Sequence, residues 1–276
     1  MKNQTIPAKA AVFAAVVLAL SLVLMTTAVA GSAQDWLADL YKAYEGLADD
    51  QTQAAATPPP AQETTPPASV SGGQAVDMTG IRQVYGDFEF MVSSRYNEAG
   101  ILKYTGTESE LTLPTVLGGY PVTYIGMGAF SFCQSLTGIV FPDTLVGLQQ
   151  NSLYACTGLT DVYLPDSVEY IQACSFTYCQ SMRSIRLPPG ITLIDEGVFL
   201  NCLSLETIEI PDGVTNIAQY AFAGCSSLGR VSVPASVQEI ASDAFLKSPN
   251  INLHVYEGSY AHQFAQAQSL PYTVIG

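Results

Sequence analysis

From Ile125 the chain reads IGMGAFSFCQSLTGIVFPDTLVG (125–147), LQQNSLYACTGLTDVYLPDSVEY (148–170), IQACSFTYCQSMRSIRLPPGITL (171–193), IDEGVFLNCLSLETIEIPDGVTN (194–216) and IAQYAFAGCSSLGRVSVPASVQE (217–239). A sixth block opens IASDAFLKS at Ile240, and no insertion breaks the 23-residue register. Fixed self-similarity at such a period describes a stack of identical supersecondary units. One unit cannot bury its own apolar side chains, so neighbours must stack to form the core.

The columns of the block say which side chains those are. The first holds Ile125, Leu148, Ile171, Ile194, Ile217 and Ile240, and the second Phe130, Leu153, Phe176, Phe199, Phe222 and Phe245. Next come Leu136, Leu159, Met182, Leu205 and Leu228, then Ile139, Val162, Ile185, Ile208 and Val231 three residues on. Phe141, Leu164, Leu187, Ile210 and Val233 follow, and Leu145, Val168, Ile191, Val214 and Val237 close the set. The alternation around Val162 and Leu164 predicts a short strand with one face inward. Pro142, Pro165, Pro188, Pro211 and Pro234 end that strand, because proline cannot donate to a ladder. Asp143, Asp166 and Asp212 then make a Pro-Asp turn.

With these residues in view, the chain resembles the BspA-like leucine-rich repeats of bacterial surface proteins, sometimes called the Treponema pallidum type. The L-x-x-I-x-L-P core, the Ile-Gly or Ile-Ala opening, the Ala-Phe pair and the Cys three residues after it carry the resemblance. It implies a repeat solenoid: a leucine-rich-repeat array with a parallel sheet on one face, mostly β with short helical turns, capped at both ends. It also implies exposure on the cell exterior and use in adhesion or ligand binding. Leu153 in the Phe column and Pro189 at the turn are departures from the pattern.

The net charge of −14 argues against a nucleic-acid partner, which would require basic patches. Lys2 and Lys9 precede an uncharged run from Ala10 to Gln34 containing Ala28-Val29-Ala30-Gly31. Residues 1–30 therefore read as a secretory signal, or as a retained anchor through residues 10–30, since about 20 apolar residues can span a bilayer. Either reading places the repeats outside the cytoplasm, secreted or anchored. Residues 31–80 divide into a short amphipathic helix around Trp36, Leu40, Tyr44 and Leu47, and a linker rich in Pro, Thr, Gly and Ser.

Residues 81–124 fit an N-terminal cap, because a solenoid end exposes an edge and apolar core. Strands are expected at 88–92, 101–104, 110–114 and 119–125, and the repeats run over 125–250. Residues 251–276 fit a C-terminal cap, with a strand through Ile251, Leu253 and Val255, a helix over 261–269 with Phe264 inward, and a final strand at 270–275.

Cys133, Cys156, Cys179, Cys202 and Cys225 share one column, with Cys174 outside it. One cysteine per coil in one environment reads as a buried small hydrophobe. A disulfide framework is the alternative, since strand spacing of ~4.8 Å leaves neighbouring coils within bonding reach. No C-x-x-C occurs, and His254 and His262 lie outside the complete blocks, so no metal site is expected.

Catalytic signatures are missing too. Gly126-Met127-Gly128 starts like a dinucleotide motif, but Ser131 stands where the third glycine belongs. Neither a G-x-S-x-G elbow nor H-E-x-x-H occurs, so no catalytic residue, cofactor or enzyme activity is expected.

The outward positions of the strand are the better candidates. Tyr163, Arg186 and Glu209 share one column and Asp161 and Arg230 another, with Arg183 and Glu206 just before them. Tyr and Arg are enriched at binding hot spots. Arg183 over Glu206 and Arg186 over Glu209 would equally serve as cross-strand ion pairs that dress the sheet. The resulting expectation is a non-catalytic binding or adhesion module for a protein or glycan ligand, with a self-associating envelope scaffold as the alternative.

Overall fold

The computed structural model describes residues 82–275. The expected signal, amphipathic helix and linker lie outside the described residues. Within them the chain winds as a β-solenoid whose coils have three sides.

The front side is built from the L-x-x-I-x-L phrase. Its strands are Glu110–Thr112, Gly138–Val140, Asp161–Tyr163, Ser184–Arg186, Thr207–Glu209, Arg230–Ser232, Leu253–Val255 and Tyr272–Val274. Partners are parallel and in block register, so Asp161 faces Ser184, Val162 faces Ile185 and Tyr163 faces Arg186. Thr207 likewise faces Arg230, and Glu209 faces Ser232. The proline after each strand starts a turn, closed by the amide of Leu145 on the carbonyl of Pro142 (2.9 Å) and of Val168 on Pro165 (3.1 Å).

A second ladder forms the flank. Tyr120–Ile125, Gly147–Leu148, Tyr170–Ile171, Leu193–Ile194, Asn216–Ile217 and Glu239–Ile240 supply one short strand per coil. Each buries the Ile or Leu of the first column and turns the preceding residue outward.

The third side is a ladder of turns in which amides alternate their direction. Gly128, Phe130 and Phe132 donate to Gln150, Ser152 and Tyr154 of the next coil, while Ala129, Ser131 and Cys133 donate three residues back. This zigzag requires left-handed backbone at two positions per coil. Gly128, Asn151, Cys174, Gly197 and Tyr220 hold one, and Phe132, Ala155, Tyr178, Asn201, Gly224 and Lys247 the other. Non-glycine residues in that conformation each cost of order 1–2 kcal/mol, which the bonds to the next coil offset.

The second column becomes an aromatic spine. Phe176, Phe199, Phe222 and Phe245 stack with centroids 5.8, 5.4 and 5.5 Å apart. Phe264 of the capping helix continues the row at 6.4 Å from Phe245. At the other end Tyr104 lies 5.3 Å from Phe130 and 5.3 Å from Phe88, so the N-terminal cap extends the same spine. Leu153, fully buried, interrupts it. Burial of each such side chain contributes roughly 1.5–3 kcal/mol.

All six cysteines are free thiols, and only Cys133 is not fully buried. The column has a hydrogen-bonding role as well as an apolar one. Cys156, Cys179, Cys202 and Cys225 donate through Sγ to the carbonyls of Phe130, Leu153, Phe176 and Phe199, at 3.1 to 3.3 Å. In the next coil Ser248 takes the place of cysteine, and its hydroxyl donates to Phe222 at 2.7 Å. Burial pushes the Cys179 and Cys225 thiols up to about 12 and the Cys133 thiol to about 11.

Before the first full coil two short strands occur that the sequence did not predict, Arg82–Tyr85 and Val116–Leu117, the latter antiparallel to Tyr120–Ile125. Phe88–Ser93 and Glu98–Tyr104 pair antiparallel, and the latter pairs parallel with Tyr120–Ile125, joining the cap to the flank ladder. The edge strand Arg82–Tyr85 precedes them. It is mostly exposed and has no apolar alternation, so periodicity gave no sign of it. At the C-terminus the helix α1 (Tyr260–Gln268) is capped by the Ser259 side chain, which accepts from the His262 amide. Strand Tyr272–Val274 then lies parallel against Leu253–Val255.

Candidate ligand-binding face

Because the front strands alternate, every outward residue stacks on its counterpart in the next coil. One row therefore runs Val140, Tyr163, Arg186, Glu209, Ser232, His254, and Val140 (59% exposed) and Tyr163 (67%) put apolar surface in solvent. Asp161, Arg183, Glu206, Glu209 and Arg230 are exposed as well.

The candidate residues divide into two groups. Arg186, Glu209 and Arg230 surround a groove of about 650 Å³, whose floor also includes Ser184, Thr207 and Ser232. Tyr256 and Ile275 from the C-terminal cap and Asp212 from a Pro-Asp turn complete its walls. Asp161 and Tyr163 sit beside the groove at its N-terminal end, and Arg183 and Glu206 lie in the turns leading into the strands.

The charge ladder that was the alternative reading of these residues is not formed between Arg186 and Glu209. Arg186 pairs with Asp166 of the preceding turn at 2.7 Å, rather than with Glu209. Its other guanidinium nitrogen donates to the Leu164 carbonyl at 3.4 Å. Asp166 projects from the Pro-Asp turn toward the same row, which makes it the nearer carboxylate. Both partners are more than half exposed, so the pair adds about 0–1 kcal/mol. Arg183 and Glu206 meet only through backbone, the Glu206 amide donating to the Arg183 carbonyl at 3.1 Å. Asp161 instead accepts from the Ser184 hydroxyl at 2.6 Å.

Arg230 makes no ion pair among the described residues, and the Ser232 hydroxyl is buried without a hydrogen-bond partner. The exposed Arg230 guanidinium, in the wall of the groove, can meet a ligand's acceptors, whereas the Ser232 Oγ is closed off from solvent. Ser232 stood in the outward column already, but Tyr256 and Ile275 come from the cap, where the 23-residue register ends. No group of three or more His, Cys, Asp or Glu side chains placed to hold a metal occurs among the described residues.

Comparison with known proteins agrees with this architecture. The model of the BspA type leucine rich repeat region matches residues 108–165 and 148–263 in 6 copies, more than half of the chain. The T. pallidum leucine-rich repeat protein TpLRR is similar in structure, at 22% identity and a TM-score of 0.55 over 69% of this chain and 97% of that one. A leucine-rich repeat protein from Bacteroides ovatus is 27% identical, with a TM-score of 0.57 over 63% of this chain and 48% of that one, so this chain spans about half of its length. No curated protein matches the sequence. With its repeat phrase, its coil and the family match in accord, the chain belongs to the BspA-type leucine-rich repeat family.

Proposed function

We propose that this protein is an exported, non-catalytic binding module of the adhesion type, and that it seats a protein ligand on its front face. The observation that carries the proposal is the groove: the exposed Arg230 guanidinium lines it, and Tyr163 stands exposed on the neighbouring strand. Desolvated Arg and Tyr side chains are the types that dominate binding energy at protein interfaces. Leucine-rich repeats commonly bind proteins, which supports the reading at the level of the family. Export rests on the charge and apolar pattern of residues 1–30, which fits the cell-surface setting of BspA-like proteins.

A test is to probe an array of purified extracellular-matrix and bacterial-envelope proteins with the labelled full chain, beside an Arg186→Glu/Arg230→Glu variant. Partners retained by the wild type and lost by the variant support the proposal. Partners retained by both refute it.

A self-associating scaffold is the second reading. The strand Tyr272–Val274 ends the front ladder with all three residues exposed, and such an edge can pair with another chain. Mass that rises with concentration favours this reading; a constant monomer mass excludes it.

A further inference from the structure

The flank ladder carries a second surface, chemically unlike the front groove. Its outward row runs Met91, Gly100, Tyr124, Gly147, Tyr170, each opposite the next across the sheet. The two glycines are notches, and the two tyrosines fill them. A Cβ on Gly100 would fall within the phenol ring of Tyr124, and one on Gly147 within that of Tyr170. Each ring thus lies flat over the neighbouring strand, with its outer face toward solvent. Gly100 and Gly147 are two strands apart, which spaces the rings by roughly 10 Å.

Two residues farther along these strands, the next outward row holds Gln149 and Gln172. The Gln149 Oε1 accepts from the Met127 amide at 3.2 Å, and the Gln172 Oε1 from the Gln150 amide at 3.1 Å. Those bonds occupy each Oε1, which leaves the Nε2 groups as the remaining donors of two half-buried side chains. Beside the rings, the Glu98 carboxylate is held by the Thr123 hydroxyl at 3.1 Å and offers acceptor oxygens.

Covering a strand glycine with an aromatic ring is a known stabilising device, and it explains why the rings lie down. It does not explain a repeat of two strands, nor a parallel row of glutamine amides. We propose that this flank is a binding site for a neutral, extended, β-linked glycan. Two flat rings about one disaccharide unit apart present apolar faces to alternate pyranose rings, and the amides and the carboxylate reach the sugar hydroxyls. Charge selects among glycans: Glu98 and Glu169 border the tyrosines, and both raise the phenol of Tyr170 after burial. An acidic polymer is repelled there.

The test is calorimetric titration of the full chain with cellohexaose, with N-acetylated chitohexaose and with a hexamer of β-1,4-linked glucuronic acid. Binding of at least one neutral hexamer and rejection of the acidic one is expected. Tyr124→Leu and Tyr170→Leu should each weaken binding roughly ten-fold. Leucine already occupies this column at Leu193, so both variants should still fold, as a single cooperative melting transition will show. Tyr170→Phe should bind like the wild type, and so should Arg186→Glu, which separates this site from the front groove. In saturation-transfer NMR of the wild type, irradiation of the tyrosine rings should reach the sugar ring protons. No neutral hexamer bound at millimolar concentration, equal binding of the glucuronic acid hexamer, or binding that survives the double Leu variant overturns the proposal.

Discussion

Replacing Phe199 with alanine is the sharpest probe of how the coils hold together. Its ring is fully buried, between Phe176 at 5.8 Å with planes 13° apart and Phe222 at 5.4 Å and 14°. Truncating a core phenylalanine costs about 3–5 kcal/mol. Each stacked pair adds about 0.5–1.5 kcal/mol beyond area, and two are lost, which places Phe199→Ala near the upper end, at about 4–5 kcal/mol. For a domain of this size the melting point should fall by roughly 10–20 °C. Phe199→Leu should cost only about 1–2 kcal/mol, because Leu153 shows that one coil accepts leucine in the spine. Urea and thermal unfolding of the full chain, followed by circular dichroism, measure both. A loss below about 2 kcal/mol for alanine, or equal losses for alanine and leucine, would refute the stacked spine as a principal source of stability.

Further expectations concern the thiols, the charged row and the cap. Cys202→Ser should change stability by less than about 1 kcal/mol, because Ser248 makes the same bond one block on from Cys225, whereas Cys202→Val removes the donor and should cost about 1–2 kcal/mol; denaturant midpoints decide. Burial raises the folded-state thiols above their unfolded value, so stability should be flat below pH 9 and fall from pH 9 toward 12, by up to about 1.4 kcal/mol per pH unit for each thiol; melting across that window checks the sign. Arg186→Ala should shift stability by no more than about 1 kcal/mol, since its pair with Asp166 is exposed on both sides, and a larger change in the denaturant midpoint would contradict that. Truncation at Pro249 should uncover Phe245 and cause aggregation; a soluble product that melts cooperatively would show that the C-terminal cap is dispensable.

The periodic part of the molecule was readable from the sequence because burial repeats with the chain. Every residue of the Ile, Phe, Leu and Val columns points inward, and the Cys column is buried from Cys156 onward, with Cys133 partly exposed in the first coil. Periodicity locates a residue on a side of the coil but does not choose its partner. Hence Arg186 over Glu209 was one reading, while the turn brings Asp166 closer. The groove needed the end of the array, where Tyr256 and Ile275 leave the block register. Of the flank tyrosines, Tyr124 was legible only as part of the lead into the first coil and Tyr170 only as the last residue of the second block. Their meaning depends on Gly100 and Gly147 lying across the sheet, a pairing that spans the cap and the repeats. The serine that replaces cysteine at position 248 was visible in the sequence, but its bond to Phe222 was not.

The protein ligand belongs to the front groove on this account, and one titration tests that most directly. The affinity of the strongest protein partner from the array should be measured for the full chain and for Arg186→Glu/Arg230→Glu, with Tyr170→Leu as the control on the flank. A loss of ten-fold or more in the charge-reversed variant, with Tyr170→Leu unchanged, is the predicted result. Equal affinity of the wild type and the charge-reversed variant would place the binding surface elsewhere on the solenoid.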